Sequence, residues 1–220
     1  FEAYWEVPAG EETAIDGRWV TGPRDAFFEA LREQLGALPI VAEDLGVITE
    51  AVEDLRDRFD LPGMKVLQFA FSDPKSPFLP HNYPHNCVVY SGTHDNDPTV
   101  GWWQEACDEE TRGKVRDYLG HDVEAPHWAL VRLGMRSVGH TFVAPMQDVL
   151  GLGREARMNR PGDGGGNWNW RLQETALEDR ARPHLAHLTW LYRRRPDQRT
   201  SLYEDERQRQ QEQEREPGEA

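Results

Sequence analysis

Residues 38–68 read LPIVAEDLGVITEAVEDLRDRFDLPGMKVLQ, and this stretch decides the fold class. Its apolar run Leu38–Ala42 has the length and flanks of a buried strand. Thr49 then caps a helical pattern that ends before Pro62-Gly63. Met64–Gln68 is a second short apolar run. Strand, helix and strand in this order predict parallel strands that are joined by a helical crossover.

The same alternation continues on both sides of this unit. The other predicted elements are a helix that ends at Gly36, a strand at Cys87–Tyr90, helices over 99–118 and 125–137, a strand at Thr141–Ala144 and a last helix near 172–192. An open doubly wound sheet and a (β/α)8 barrel both fit this pattern, but no GxGxxG or Walker-type loop follows a strand. Four strands are too few for a closed barrel. We therefore expect an α/β chain that forms the C-terminal portion, about strands 5–8, of a (β/α)8 barrel.

Both ends of the chain bear on its domain organisation. It begins at Phe1 with the aromatic-rich stretch FEAYWEVPAG, from which we expect a piece of a longer protein. At the other end, residues 196–220 contain almost no apolar side chain, so we expect a polar, solvated tail there. Residues 1–195 are then the barrel portion.

Composition excludes several classes of partner. The 220 residues carry 25 Lys and Arg against 39 Asp and Glu, a net charge of −14. This balance argues against binding to nucleic acid or to an anionic membrane, since both need a basic face. No apolar run approaches the roughly 20 residues of a membrane-spanning helix. Two cysteines cannot build a disulfide framework, and we expect a cytoplasmic protein.

Two carboxylates stand just past the ends of predicted strands. Glu43 follows the run that ends at Ala42, and Asp95 follows the strand Cys87–Tyr90. Barrel enzymes place catalytic groups at this position, because the carboxyl ends of the strands face the pocket. The alternative is that such residues, Asp44 among them, only solvate the strand end or cap the next turn.

A metal site is a second alternative at the adjacent pair His94-Asp95. Such a pair ligates metals in phosphohydrolases, but further histidine ligands are then needed. His81 and His85 lie in a proline-rich loop at no metal-site spacing. We therefore expect no metal at this pair. We expect no organic cofactor either.

Longer motifs in this chain resemble one known family. They are IVAEDLGVITEAVEDLRDRFDLPGMKVLQFAF (40–71), LPHNYPHNCVVYSGTHDNDPTVGWW (79–103) and APMQDVLGLGREARMNRPGDGGGNWNWRL (144–172). Together with FEAYWEVPAGEE at the start, they closely resemble the 4-α-glucanotransferases called amylomaltase or disproportionating enzyme, glycoside hydrolase family 77. The resemblance covers nearly all of residues 1–192.

The resemblance implies a retaining double displacement on α-1,4-glucans with three acidic residues on a barrel. By motif, Glu43 resembles the acid/base, Asp95 the carboxylate that stabilises the transition state, and His94 a binder of substrate hydroxyls. Asp44, Asn96 and Trp102 are further candidates for substrate binding. The family's nucleophile lies in an R-x-D-H-F-R-G motif, which residues 1–220 do not contain. We therefore expect this chain to be inactive by itself.

Physical chemistry gives reasons for these residue types. A glycosidic oxygen is a poor leaving group and must be protonated, and a Glu among apolar strand ends has its pKa raised for that task. The retaining route places the nucleophile about 5–5.5 Å from the acid. Sugar faces stack on aromatic rings, and the candidates for this contact are Trp102, Trp103, Trp168, Trp170, Tyr83 and Tyr90. Core packing is the alternative for each tryptophan.

The expected partners are maltooligosaccharides and α-1,4-glucans, with the oligomeric state left open. Two other functions remain open at this point. One is a non-catalytic glucan-binding remnant, and the other is an α-amylase-type hydrolase, which shares the same carboxylates.

Overall fold

The computed structural model describes residues 1–173 and 181–195. Its strands are β1 (Ala3–Glu6), β2 (Arg18–Thr21), β3 (Gly63–Val66), β4 (Cys87–Tyr90) and β5 (Thr141–Val143). Its helices are α1 (Arg24–Leu35), α2 (Glu50–Arg58), α3 (Thr99–Gly101), α4 (Glu109–Leu119), α5 (Pro126–Met135), α6 (Met146–Leu150) and α7 (Ala181–Leu191). The elements form an α/β fold, as the sequence predicts.

The centre of the fold is a parallel sheet in the order β3-β4-β5. Met64 of β3 lies opposite Val88 of β4, and Val88 in turn lies opposite Thr141 of β5. Val89 in the middle strand has no exposed surface. Its neighbours Cys87 and Val88 are buried as well, so both faces of the middle strand are covered, which explains why its sequence is a continuous apolar run. The carboxyl ends of all three strands meet at one edge.

The predicted strand Leu38–Ala42 is wrong: this run is irregular in the structure. Ile40 N donates to Leu38 O at 2.8 Å, which is a local turn, and Pro39 has no N–H to give to a ladder. Ala42 N does reach Pro62 O at 2.9 Å, so the run lies beside the start of β3 without pairing along it. A short antiparallel hairpin, β1-β2, was not predicted.

The predicted helix over 99–118 is interrupted. After α3, one π-helical turn spans Trp102–Ala106, and the chain then breaks at Cys107. Asp108 restarts it as α4 by accepting a hydrogen bond from Thr111 N at 2.8 Å, which is the geometry of a helix N-cap. Periodicity alone predicts one helix over 99–118, but Asp108 begins a new helix, α4, within that range.

The core has two main parts and a smaller third. The large cluster lies between the sheet and α4–α5 and includes Leu67, Phe71, Val89, Val115, Leu130 and Leu133. Trp102 and Trp103 are partly buried against it, which is the packing role that the sequence left open. A second cluster joins α1 to α2 through Phe28, Leu55, Phe59 and Leu61.

The last helix docks onto α5. Leu188 of α7 is fully buried with Val131 and Met135. Residues 174–180 of the predicted helix near 172–192 lie outside the described residues, as does the predicted tail 196–220. Both cysteines are free and buried. In the two described ranges, no helix is long and apolar enough to cross a membrane.

Candidate active site at the carboxyl ends of the strands

A cleft of about 500 Å³ opens at the strand edge where the parallel strands end. Its walls include Glu43, Met64, Tyr90, Thr93, His94, Asp95, Asn96, Val143 and Met158. Four of the six predicted site residues are therefore brought together here: Glu43, His94, Asp95 and Asn96. Asp44 and Trp102 do not line this cleft.

The loop that follows β4 is a self-bonded turn. Asn96 Oδ1 accepts hydrogen bonds from Thr93 N at 2.9 Å and from Thr93 Oγ1 at 2.8 Å. The backbone N–H of Asn96 donates a hydrogen bond to Thr93 O at 3.2 Å. The amide of Asn96 is therefore used to shape the turn, and this turn directs His94 and Asp95 into the cleft.

Asp95 carries the carboxylate of this loop. Its Oδ1 accepts a hydrogen bond from Asn159 Nδ2 at 2.6 Å and lies 3.5 Å from His94 Nε2. The side chain of Asp95 is still 45 % exposed, so it is open to a ligand on the cleft side. A held but accessible carboxylate is suited to binding hydroxyl groups or to facing developing positive charge.

Asp97 lies two residues further on and is engaged elsewhere. Its side chain is 6 % exposed and forms ion pairs with Arg154 at 2.8 Å and with Arg157 at 2.9 Å. Burial acts to raise the pKa of Asp97, but the hydrogen bonds from the two guanidinium groups outweigh burial and lower it. Asp97 is therefore a charged, fully bonded anchor of the loop.

Trp168 stands beside His94 with an unusual backbone. Its φ is +62°, a left-handed conformation that bulky residues rarely adopt. Its N–H donates to Met158 O at 2.7 Å, which helps to hold this conformation, and its ring centroid lies 5.0 Å from that of His94. A half-exposed indole thus borders the cleft.

The glycine-rich loop before Trp168 is closed by one side chain. Asn167 Oδ1 accepts a hydrogen bond from Arg160 N at 2.8 Å, and its Nδ2 donates to Asp163 O at 3.0 Å. Gly162 and Gly166 have φ of +88° and +79°, which glycine adopts without strain. The loop is therefore a formed turn that delivers Trp168 to His94.

Glu43 lies on the irregular segment after Ala42, between the cleft and a second, larger groove. That groove has a volume of about 850 Å³, and its walls are mainly apolar side chains, including Phe27, Phe28, Leu31, Ile40 and Val52. The Glu43 side chain is exposed, whereas the sequence predicts apolar surroundings for it. Its segment does not join the sheet, so residues 1–173 and 181–195 leave it open on one side.

Asp44 points the other way, into the fold. Its side chain is 5 % exposed, and Oδ2 accepts a hydrogen bond from Arg56 Nη1 at 2.6 Å. Oδ1 accepts one from Met64 N, also at 2.6 Å. A Cβ on Gly63 would lie 2.2 Å from Asp44 Oδ2, so β3 begins with glycine because the carboxylate occupies that space. Asp44 fixes the start of β3 to the segment that carries Glu43.

Asp148 is a buried carboxylate that the sequence did not single out. It accepts hydrogen bonds from Ser91 Oγ at 2.5 Å, Thr99 N at 2.6 Å and Thr99 Oγ1 at 2.8 Å. Burial raises the pKa of Asp148, and these hydrogen bonds oppose the rise. It ties the end of β4 to α3 and α6 at the wall of the cleft.

The structure adds Arg154, Arg157 and Asn159 to the predicted site residues. They follow α6, and their bonding partners are in the loop after β4, about 60 positions earlier in the chain. The described part of the chain contains no group of three or more His, Cys, Asp or Glu placed to hold a metal ion.

The chain is similar to known proteins over most of its length. Residues 1–177 match the sequence profile of a glycoside hydrolase family described as 4-alpha-glucanotransferase. A 4-alpha-glucanotransferase of Synechocystis sp. is 55 % identical over 199 residues, which are 89 % of this chain and 39 % of that protein. One from Thermus thermophilus is 56 % identical over 181 residues, 78 % of this chain and 36 % of the relative.

The fold of a solved relative agrees. The amylomaltase from Streptococcus agalactiae, solved in complex with acarbose, superposes with a TM-score of 0.82 at 36 % identity, covering 88 % of this chain and 39 % of that one. The chain thus spans less than two fifths of the length of these relatives. Because the profile match extends across most of the chain and includes the cleft residues, the chain belongs to the 4-alpha-glucanotransferase family.

Proposed function

We propose that the complete protein containing this chain transfers α-1,4-glucan segments between maltooligosaccharides. One observation carries the proposal: Glu43, His94 and Asp95, the residues expected from the motifs, line a single cleft at the carboxyl ends of parallel strands. Family membership supplies the reaction class, and the relatives named above bear the name 4-alpha-glucanotransferase.

The proposed route is a retaining double displacement. A carboxylate nucleophile attacks the anomeric carbon of the donor while Glu43 gives its proton to the departing glycosidic oxygen. Glu43, now a carboxylate, removes the proton from the acceptor hydroxyl, which attacks the glycosyl-enzyme and releases the nucleophile. Asp95 faces the oxocarbenium-like charge in both steps, and His94 holds a sugar hydroxyl. Asp44, Asn96 and Trp102 remain proposed contributors to substrate binding, Asp44 and Asn96 through the loops that they anchor.

The nucleophile of this proposal is not among residues 1–220, because the sequence lacks the motif that carries it. Residues 1–220 alone should therefore form no glycosyl-enzyme.

The proposal also includes the fold and location: this chain is the C-terminal portion of a (β/α)8 barrel in a cytoplasmic protein that needs no cofactor, metal, nucleic acid or membrane. The parallel order β3-β4-β5 supports the barrel portion, and the free, buried cysteines support the cytoplasmic location.

Trp168 is the proposed sugar-stacking side chain. It borders His94 and is half exposed, whereas Trp102 and Trp103 are packed against the core. Aromatic walls beside a few fixed polar groups are typical of small-ligand sites.

Incubation of the complete protein with maltotriose tests the proposed function. Transfer produces glucose together with a ladder of longer oligomers. Shortening of the substrate without longer products indicates a hydrolase instead. Binding without any turnover indicates the glucan-binding alternative.

A further inference from the structure

Arg157 contacts the loop after β4 and the Asn159 segment at the same time. Its Nη2 donates to Asp95 O at 2.5 Å, and its Nη1 donates to Asp97 Oδ1 at 2.9 Å. Its Nε donates to Asn159 O at 2.8 Å. The planar guanidinium presents donors in a rigid fork, so three acceptors on two separate segments are fixed relative to one another.

Of the two segments that Arg157 joins, the loop after β4 carries the Asp95 carboxylate and the Asn159 segment donates a hydrogen bond to it. Asn159 donates its Nδ2 to Asp95 Oδ1 at 2.6 Å and its N–H to His94 O at 3.0 Å. Arg157 therefore bonds to the backbone of Asp95, which bears the carboxylate, and to the backbone of Asn159, which donates to that carboxylate. Its own side chain does not line the cleft.

Asp97 keeps the guanidinium of Arg157 in place. One carboxylate oxygen bonds to Arg157, and the other accepts from Arg154 Nε at 3.1 Å and Nη2 at 2.8 Å. The backbone carbonyl of Asp97 accepts from Gln68 Nε2 at 3.0 Å, which ties this network to the chain just after β3. The fork is thus held by a buried and charged partner.

We propose that Arg157 is a positioning residue for the reaction, acting through the orientation of the Asp95 carboxylate. The rate measurement that tests this inference rests on the proposed function, whereas the structural measurement does not. A lysine at this position keeps the charge and reaches one acceptor, and it cannot bridge all three. Misplacement of a catalytic group by about 1 Å costs on the order of 100-fold in rate.

The test compares Arg157→Lys with Arg160→Lys in the complete protein. Arg160 is exposed and three positions away, and it bonds to Asn167 through its backbone, which a lysine preserves, so it is a matched control. With maltotriose, Arg157→Lys should lower kcat by roughly 10- to 100-fold while KM stays within threefold, and Arg160→Lys should leave both unchanged. A kcat for Arg157→Lys within threefold of wild type overturns the proposal.

A second comparison, made in the Asp95→Asn background, separates a role through the Asp95 carboxylate from a purely structural role. The rates in this comparison are measured with α-maltosyl fluoride as an activated donor. If Arg157 acts through the carboxylate, Arg157→Lys should change the rate less than twofold once the carboxylate is gone. An equal loss in both backgrounds shows general damage and contradicts the proposal. Should Arg157→Lys fail to fold, Asp97→Asn weakens the same contact and should lower kcat three- to tenfold; a value within twofold of wild type counts against the inference.

A crystal structure of Arg157→Lys gives a readout that needs no activity. The separation of Asn159 Nδ2 and Asp95 Oδ1 should lengthen beyond hydrogen-bond distance in this variant and stay near 2.6 Å in Arg160→Lys. An unchanged separation in both overturns the inference. If wild-type protein transfers no glucan and the separation still lengthens, the proposed function fails and the positioning contact stands.

Discussion

Asn159 Nδ2 lies 2.6 Å from Asp95 Oδ1, although 64 positions separate the two residues in the chain. The contact joins the loop after the middle strand to the segment that follows α6. A hydrogen bond to a charged group is worth more than one between neutral groups, so this contact both orients and stabilises the carboxylate.

Removal of this donor should therefore reduce turnover. Asn159→Ala should lower kcat with maltotriose by roughly 10- to 100-fold, the loss expected for one hydrogen bond to a charged acceptor. Asn86→Ala is the control, because Asn86 bonds to Asp60 outside the cleft. Equal rates for Asn159→Ala and wild type would show that Asp95 does not need this contact.

Trp168 should affect both substrate binding and stability. Trp168→Ala should raise KM for maltotriose roughly 3- to 10-fold through loss of an aromatic contact. Trp190→Ala, an exposed tryptophan on α7, should leave KM unchanged. Because φ is +62° at this position, Trp168→Gly should exceed Trp168→Ala in free energy of unfolding by about 1 kcal/mol. Calorimetry and initial rates measure the two effects separately, and an unaltered KM removes Trp168 from the sugar site.

Asp44 should control stability more than binding. Asp44→Asn breaks a buried ion pair with Arg56, and we expect the free energy of unfolding to fall by about 3 kcal/mol. Asp57 bonds to the same guanidinium but is 66 % exposed, so Asp57→Asn should cost less than about 1 kcal/mol. Denaturant titration measures both values. A large rise in KM for Asp44→Asn with normal stability would instead give Asp44 a direct role in binding.

Two histidines should make the docking of α7 sensitive to acid. Nδ1 of His127 and Nε2 of His184 are buried without a hydrogen-bond partner among the described residues, and the ring of Trp128 lies 4.2 Å from that of His184. Burial lowers the pKa of both, with further lowering by His184 at His127 and by Arg132 and His187 at His184. The folded state therefore binds fewer protons than the unfolded state, and stability is lost as the pH falls below about 6.5 through the lowered values.

Thermal unfolding between pH 7.5 and 5 measures this loss. The double variant His127→Gln/His184→Gln should flatten the decline in Tm, whereas the exposed control His121→Gln should follow wild type. A decline of the same steepness in the double variant would locate the sensitivity in other groups.

The sequence predicted most elements because their patterns are local. The strand at Cys87–Tyr90 is a short apolar run between turn residues, and the helices before Gly36 and over 125–137 show apolar positions on one face. The strand predicted at Leu38–Ala42 does not form, and the cause is local as well. Pro39 and the turn at Ile40 prevent ladder formation, although the run is as apolar as a buried strand.

The site was predictable only in part. That Glu43 and Asp95 line the cleft could be predicted because each follows an apolar run and lies within a long family motif. Arg157 and Asn159 could not be assigned, since nothing near them in sequence indicates a partner about 60 positions earlier. Trp102 and Trp168 carry the same side chain in the sequence, and only tertiary packing separates a core tryptophan from one that borders His94.

The measurement that tests the central claim most directly is the rate of oligomer exchange by Glu43→Gln in the complete protein. With maltotriose, wild type should produce glucose and longer oligomers, and Glu43→Gln should be slower by roughly 10²- to 10⁴-fold because proton transfer to the leaving oxygen is lost. Glu50→Gln, a nearby exposed change at the start of α2, should match wild type. A rate for Glu43→Gln within tenfold of wild type would contradict the assignment of Glu43 as the acid/base.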